Sequence, residues 1–68
     1  MSEPCIDIYT HDEETTVQCV SRLVPASMRF VVDPYPDGGW RVRLRNEPGR
    51  FAALRTVLFG LPMSAILS

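Results

Sequence analysis

Hydrophobic and polar positions alternate along two stretches of the chain, Cys5–Thr10 and Trp40–Arg45. A period of two residues places successive side chains on opposite faces of a strand. Ile6 and Ile8 therefore share one face of the first stretch, and in the second stretch every other residue is an arginine. The pattern predicts two strands, each with an apolar face for a core and a polar face directed away from it.

Two further strands are predicted from weaker signals. Residues 28–33 alternate, with Met28, Phe30 and Val32 on one face and Arg29, Val31 and Asp33 on the other. The turn-forming sequence PYPDGG then leads into Trp40–Arg45, which indicates a hairpin. A short strand centred on residues 65–67 completes the set.

The first helix is predicted from Glu13 to Val24. Asp12 is suited to cap it, and the acidic side chains of its first turn favour the positive end of a helix dipole. Pro25 ends it, because proline cannot continue a helix. The apolar residues at helical spacing are Val17, Val20, Leu23 and Val24.

The second helix follows the Trp40–Arg45 strand. Asn46 is suited to cap it, and Pro48 falls in its first turn, where a missing N–H costs little. Gly60 and Pro62 end the helix. Its apolar stripe consists of Phe51, Leu54, Val57, Leu58 and Leu61.

The order strand, helix, strand, strand, helix, strand consists of two βαβ units, and right-handed crossovers place both helices on one face of the sheet. The predicted fold is α+β and ferredoxin-like, a split βαβ sandwich with a four-stranded antiparallel sheet whose first and third strands are central. The expected core comprises Ile6, Ile8, Met28, Phe30, Val32, Trp40, Val42 and Leu44 from the strands, and Val17, Val20, Leu23, Phe51, Leu54, Val57, Leu58 and Leu61 from the helices.

Composition limits the function classes. The 68 residues allow one domain, residues 1–68, which excludes a multidomain enzyme. The net charge is −1, so bulk charge supplies no attraction to nucleic acid or to anionic lipid. The charge is unevenly distributed, because residues 1–24 carry net −4 (one Arg against five acidic residues) and residues 25–68 carry net +3 (six Arg against three).

Neither the cysteines nor the lone histidine indicate chemistry. Cys5 and Cys19 fit no zinc spacing, and we expect two reduced thiols. Cys5 and His11 are separated by most of a strand, so no metal site, cofactor or catalytic residue is predicted. The acidic N-terminus lacks the features of a signal peptide, and the longest apolar run is too short to span a bilayer. A cytoplasmic, non-enzymatic protein is expected.

The uncovered sheet face is the most informative predicted surface. It presents four arginines near Tyr9, with Asp7 and Asp33 as cross-strand partners, and two Asp cannot neutralise four Arg. A positive excess there fits an acidic protein surface, including a second copy of the chain. Nucleic acid is a weaker alternative, because the third strand presents only arginines on this face and no aromatic residue for base stacking. The partner-binding candidates are Tyr9, Arg29, Arg41, Arg43 and Arg45, with Phe59 and the edge strands for self-association.

The segment from Val42 to Ile66, VRLRNEPGRFAALRTVLFGLPMSAI, resembles the strand–loop–helix–strand signature of ACT domains, which are small ferredoxin-like regulatory modules. The matching positions are Asn46, Pro48, Gly49, Phe51, Ala52, Leu54 and Leu58. The resemblance implies an effector such as an amino acid bound near the loop, with Asn46, Pro48 and Gly49 as ligand-binding candidates. The predicted function is that of a small regulatory or inhibitory binding protein that forms a homodimer; the alternatives are amino-acid sensing and RNA or DNA binding.

Overall fold

The structure, a computed structural model, describes residues 4–67; residues 1–3 and 68 of the predicted domain lie outside the described part. The elements are β1 (Cys5–Thr10), α1 (Glu13–Leu23), β2 (Val31–Pro34), β3 (Trp40–Arg45), α2 (Arg50–Val57) and β4 (Ser64–Leu67). The strands form one antiparallel sheet in the order β2-β3-β1-β4. The predicted ferredoxin-like fold is confirmed, including the central positions of β1 and β3.

The core lies between one face of the sheet and both helices. Its fully buried apolar side chains are Ile6, Ile8, Cys19, Leu23, Val42, Leu44, Leu54 and Leu58. Partly buried around them are Met28, Phe30, Val32, Phe51, Val57, Leu61, Met63 and Ala65. Because both helices contribute to this one cluster, they cover the same side of the sheet and leave the other side open.

Helix α1 begins where the sequence predicts and ends one residue earlier. The Asp12 carboxylate accepts a hydrogen bond of 2.7 Å from the backbone N–H of Thr15, and this bond holds the pKa of Asp12 below its usual value. Glu13 and Glu14 stand in the first turn, at the positive end of the helix dipole. The helix ends at Leu23, and Val24 serves as its C-cap rather than as its last residue.

The buried face of α1 is rotated from the predicted one. Val17 and Val24 are 56% and 61% exposed, and the expected place of Val17 in the core is wrong. The buried positions are instead Thr15, Thr16, Cys19 and Leu23. Two hydroxyls explain this, because the Thr16 Oγ1 donates to the Asp12 carbonyl at 2.9 Å and lies 2.6 Å from the Thr10 Oγ1. A threonine whose hydroxyl is satisfied is buried at little cost.

Two other predicted features are corrected. The second strand begins at Val31 rather than Met28, because the Met28 N–H bonds back to the Leu23 carbonyl at 3.2 Å and pairing with β3 starts at Val31. Val20 and Trp40, both expected in the core, are only half-buried.

Asn46 does not cap α2. The helix starts at Arg50, and its N-cap is Gly49 at φ 78°, a left-handed conformation that glycine adopts without strain. Pro48 therefore precedes the helix instead of lying in its first turn. The Asn46 N–H donates instead to the Pro4 carbonyl at 3.0 Å, next to the pairing of β1 with β3. Helix α2 ends at Val57, ahead of the predicted stop at Gly60, which stands in the following turn at φ 86°.

Candidate functional site: the open sheet face and the arginine cleft

The open face is the side of the sheet that faces away from the helices. Strand register arranges its side chains in rows that cross β2, β3, β1 and β4. The central row is Val31, Arg43, Asp7 and Ile66, and the next row is Asp33, Arg41, Tyr9 and Ser64. Arg45 and Cys5 are paired beyond the central row, at one end of the sheet. Four of the six predicted partner-binding residues thus stand on the two central strands.

The central row holds a neutralised ion pair. Arg43 binds the Asp7 carboxylate in bidentate fashion, with Nε to Oδ1 at 2.7 Å and Nη2 to Oδ2 at 3.0 Å. The hydrogen bonds and charge of Asp7 raise the pKa of Arg43. Asp7 is 3% exposed, although it lies on the open side, whereas Val31 and Ile66 are 60% and 53% exposed. The row is therefore a satisfied charge pair between two exposed aliphatic side chains.

The second row combines another ion pair with an aromatic pair. The Arg41 Nη2 lies 3.3 Å from the Asp33 Oδ2. The rings of Tyr9 and Tyr35 meet edge to face, with centroids 5.2 Å apart and an interplanar angle of 79°. Partial burial and the charge of Asp7 raise the pKa of Tyr9. Tyr35 is not among the residues predicted for this face, although it follows Asp33 by two residues and so continues the same strand parity.

Arginines other than those of the two full rows gather at one end of the sheet. Arg41 and Arg43 are neutralised by their aspartates, and three other arginines line a cavity of about 290 Å³ beside the end of β3. This arginine cleft is lined by Ser27, Arg29, Arg45, Glu47 and Arg50. Strand alternation alone does not identify Arg50, because that residue reaches the cleft from the start of α2.

A second, shallower cavity of about 410 Å³ adjoins the arginine cleft and shares Arg29 and Arg45 with it. Its other lining residues are Cys5, Phe30, Val31, Arg43 and Leu44. The cleft itself is mainly charged, whereas this cavity adds apolar wall. The two together form a surface with a cationic end and an apolar extension.

The two ends of the sheet carry opposite charge. At the basic end, where Cys5 pairs with Arg45, lies the arginine cleft. At the other end, where Thr10 pairs with Trp40, the chain continues into Asp12 and the acidic first turn of α1. The turn that carries Asp37 also lies at this acidic end, because it joins β2 to the start of β3.

The remaining predicted site residues lie elsewhere. Phe59 is 81% exposed, but it follows α2 in the helical layer, where the Arg22 Nη1 donates to its carbonyl at 2.7 Å. The structure therefore does not bring it together with the open face. Asn46, Pro48 and Gly49 form the approach to α2, and none of the three lines either of the two cavities.

No family model, curated protein or solved structure matches the chain. The resemblance to ACT domains therefore stays a prediction. Within residues 4–67, no group of three or more His, Cys, Asp or Glu side chains is placed to hold a metal ion. None of the helices in that range is long and apolar enough to cross a membrane.

The two thiols differ in burial, which gives a testable difference in reactivity. Neither cysteine is in a disulfide; Cys19 is fully buried and Cys5 half-buried at the rim of the shallow cavity. Burial raises the pKa of Cys19 from 9.0 to about 11. We expect a thiol reagent at mildly alkaline pH to modify Cys5 in the native protein and Cys19 only on unfolding, as followed by mass spectrometry.

A Cys5→Ser variant is the control for this experiment, and it should show no modification while the protein is folded.

The folded-state pKa of Cys19 lies above the unfolded value. The Cys19 thiol therefore contributes fully to the free energy of unfolding below about pH 9, and this contribution is lost as the pH rises through about 11. Rapid modification of the Cys5→Ser variant under native conditions would contradict the buried placement of Cys19.

Proposed function

We propose that this protein is a small, non-enzymatic regulatory module that acts by protein–protein binding through the open face, and that its first partner is a second copy of the same chain. The observation that supports this best is the central row, in which the Asp7–Arg43 pair lies between the exposed Val31 and Ile66. Exposed apolar side chains favour burial in an interface, and an ion pair that is already formed leaves no unpaired charge to bury there.

Charge complementarity favours a second copy over an acidic partner. An acidic partner would need unpaired arginines across the face, but Arg41 and Arg43 are neutralised within the chain. Two copies of this face do not repel each other at their centres. With the strands of the two sheets antiparallel, the basic end of each copy lies near the acidic end of the other.

The proposed assembly is a sandwich of two sheets. Two sheets that pack face to face lie about 10 Å apart, with their strands within about 30° of alignment. A two-fold axis in the plane between them makes the contact self-complementary, so that Val31 and Ile66 of both copies lie at its two edges, on either side of the Asp7–Arg43 pairs. We propose a cytoplasmic location, because two reduced thiols fit a reducing compartment.

Nucleic acid fits this face less well. Sheets that bind RNA present aromatic rings for base stacking together with cations for the backbone. Here Tyr9 is engaged with Tyr35, and the arginines of the two full rows are paired with aspartates. Protein binding is therefore the function that the contacts support best.

An Ile66→Lys substitution tests the proposal. Ile66 is 53% exposed on the edge strand β4, so the change leaves the buried core intact and places an uncompensated cation within the contact, at its β4 edge. We expect at least a tenfold weaker dimer by sedimentation velocity over a concentration series, because the added cation loses hydration without gaining a partner when the contact forms. Circular dichroism checks that the variant is folded.

Two matched controls place the contact. Val24→Lys introduces the same charge at an equally exposed apolar position outside the sheet, and it should leave the dimer unchanged. Phe59→Lys introduces the same charge at the residue that the sequence predicts to support self-association. If Phe59→Lys dissociates the dimer and Ile66→Lys does not, the contact lies on the helical layer. If the unsubstituted protein stays monomeric at every concentration of the series, the proposal that a second copy is the partner is wrong.

A further inference from the structure

The arginine cleft is a concave site lined by three arginines from different parts of the fold. Arg29 enters it from the segment before β2, Arg45 from the end of β3 and Arg50 from the start of α2. These positions are 16 and 5 residues apart in the sequence, so only the fold brings the three groups together. Like charges gathered in one cavity repel each other, and an anion bound between them removes that repulsion.

The arginine cleft offers several donors to a multiply charged anion. Its lining residues within the described part of the chain include three arginines and one carboxylate, that of Glu47. A phosphate monoester carries about −1.5 to −2 at neutral pH and presents three acceptor oxygens. A guanidinium group binds two such oxygens in a planar, bidentate manner, and the third oxygen of a phosphate monoester remains as an acceptor for a second guanidinium group.

The contacts within the cleft leave donors for a ligand. Arg29 makes no side-chain hydrogen bond or ion pair with any residue between 4 and 67. Arg50 binds Glu47 through a single contact, Nη2 to Oε2 at 3.0 Å, and the Glu47 side chain is 52% exposed. An exposed pair of this kind contributes little energy, so a phosphate can replace the carboxylate at Arg50. Ser27 adds a hydroxyl to the lining.

The adjoining shallow cavity indicates what the phosphate is attached to. It shares Arg29 and Arg45 with the cleft and continues along Phe30, Val31 and Leu44. The cleft volume of about 290 Å³ is at the small end for ligand sites, so it holds a phosphate group rather than a whole metabolite. We propose that the arginine cleft binds the phosphate group of a small organic phosphate monoester, whose organic part lies along this apolar wall.

Amide chemical-shift titration tests the site with adenosine 5′-monophosphate as the phosphate monoester, adenosine as the uncharged probe and inorganic phosphate as the bare anion. Ionic strength is held constant with sodium chloride. We expect saturable shifts around residues 27–31 and 45–50 with the monophosphate, weaker binding of inorganic phosphate and no binding of adenosine. Running the series on Ile66→Lys as well separates this site from dimer formation.

Substitution of Arg29 measures its contribution to affinity. Arg29→Gln removes a guanidinium that has no partner among the described residues, so the fold should be unaffected and the Kd for the monophosphate should rise about tenfold or more. The control is Arg55→Gln, which removes the same charge from the last turn of α2, outside the cleft. It should leave the Kd within about twofold.

Three results overturn the proposal. Equal effects of Arg29→Gln and Arg55→Gln would show attraction by net charge alone. Shifts that do not saturate would show that no defined site is present. Equal affinities for inorganic phosphate and for the monophosphate would show that the apolar wall contributes nothing to binding, and that the site does not recognise the organic part of the ligand. Because Val31 belongs both to the apolar wall and to the proposed contact between copies, the same comparisons are made on Ile66→Lys, in which that contact is disrupted.

Discussion

Replacing Arg43 with methionine is expected to lower the melting temperature by roughly 10 °C or more. The reason lies with its partner, because Asp7 is 3% exposed and both of its carboxylate oxygens accept hydrogen bonds from Arg43. Removing Arg43 takes two hydrogen bonds and the opposite charge away from a carboxylate in a poorly solvated place. In a chain this short a single core supplies little excess stability, so the loss is a large fraction of the total.

Two variants separate this cause from a general loss of packing. The double substitution Asp7→Val, Arg43→Met removes both charges, and it should recover most of the melting temperature, since paired burial of apolar groups is at least as favourable. Arg41→Met breaks the more exposed pair with Asp33, whose side chain is 45% exposed, and should have a small effect. A melting temperature for Arg43→Met equal to that of Arg41→Met would contradict the special role of Asp7.

The buried partner of Arg43 also determines how the open face is best probed. From the sequence, charge reversal at Arg43 looks like a neutral surface change that reports on partner binding. In the structure it would place a second carboxylate against a buried Asp7, and the protein would lose stability before binding could be measured. Ile66 and Arg29 are better positions, because neither side chain has a polar contact with the described residues to lose.

The sheet could be predicted from sequence because strand periodicity is local. Each strand needs only its own alternation, and the arginines of WRVRLR mark the open face directly. The buried face of α1 could not be predicted in the same way, because Thr15 and Thr16 count as polar in a pattern. The burial of Thr16 depends on hydrogen-bond partners at Thr10 and Asp12, which only the folded chain brings within reach.

The sequence predicts which arginines lie on the open face, but it does not predict which of them are neutralised by an aspartate. Alternation identified Arg41, Arg43 and Arg45, but the bidentate partner of Arg43 depends on the β1–β3 register, which brings in a residue 36 positions away. The arginine cleft depends on loop geometry, since Arg50 joins it only because α2 starts at Gly49 and not at Asn46. The distribution of charge is therefore a property of the folded surface. Counting Arg and Asp residues along the predicted strands does not show which arginines are neutralised.

Gly39→Ala is expected to be the second strongly destabilising substitution, with a loss of roughly 3 kcal/mol in the free energy of unfolding measured with urea. A Cβ at this position would lie 2.5 Å from the Thr10 carbonyl oxygen. That oxygen belongs to the backbone at the end of β1, opposite Trp40, so it cannot move aside as a flexible side chain would. The clash must be relieved by shifting the end of the β1–β3 pairing.

The neighbouring glycine provides the matched comparison. Gly38 has φ 96°, and a Cβ added there would have no atom within 4 Å, so alanine meets backbone strain and no contact. We expect Gly38→Ala to cost about 1 kcal/mol, the usual penalty for a side chain in the left-handed region. The order of the two effects discriminates between their causes: if Gly38→Ala is the more damaging, turn conformation and not the approach to Thr10 requires the glycine pair. The greater loss at Gly39 would instead show that the hairpin turn packs against the end of the central strand, which fixes the acidic end of the open face.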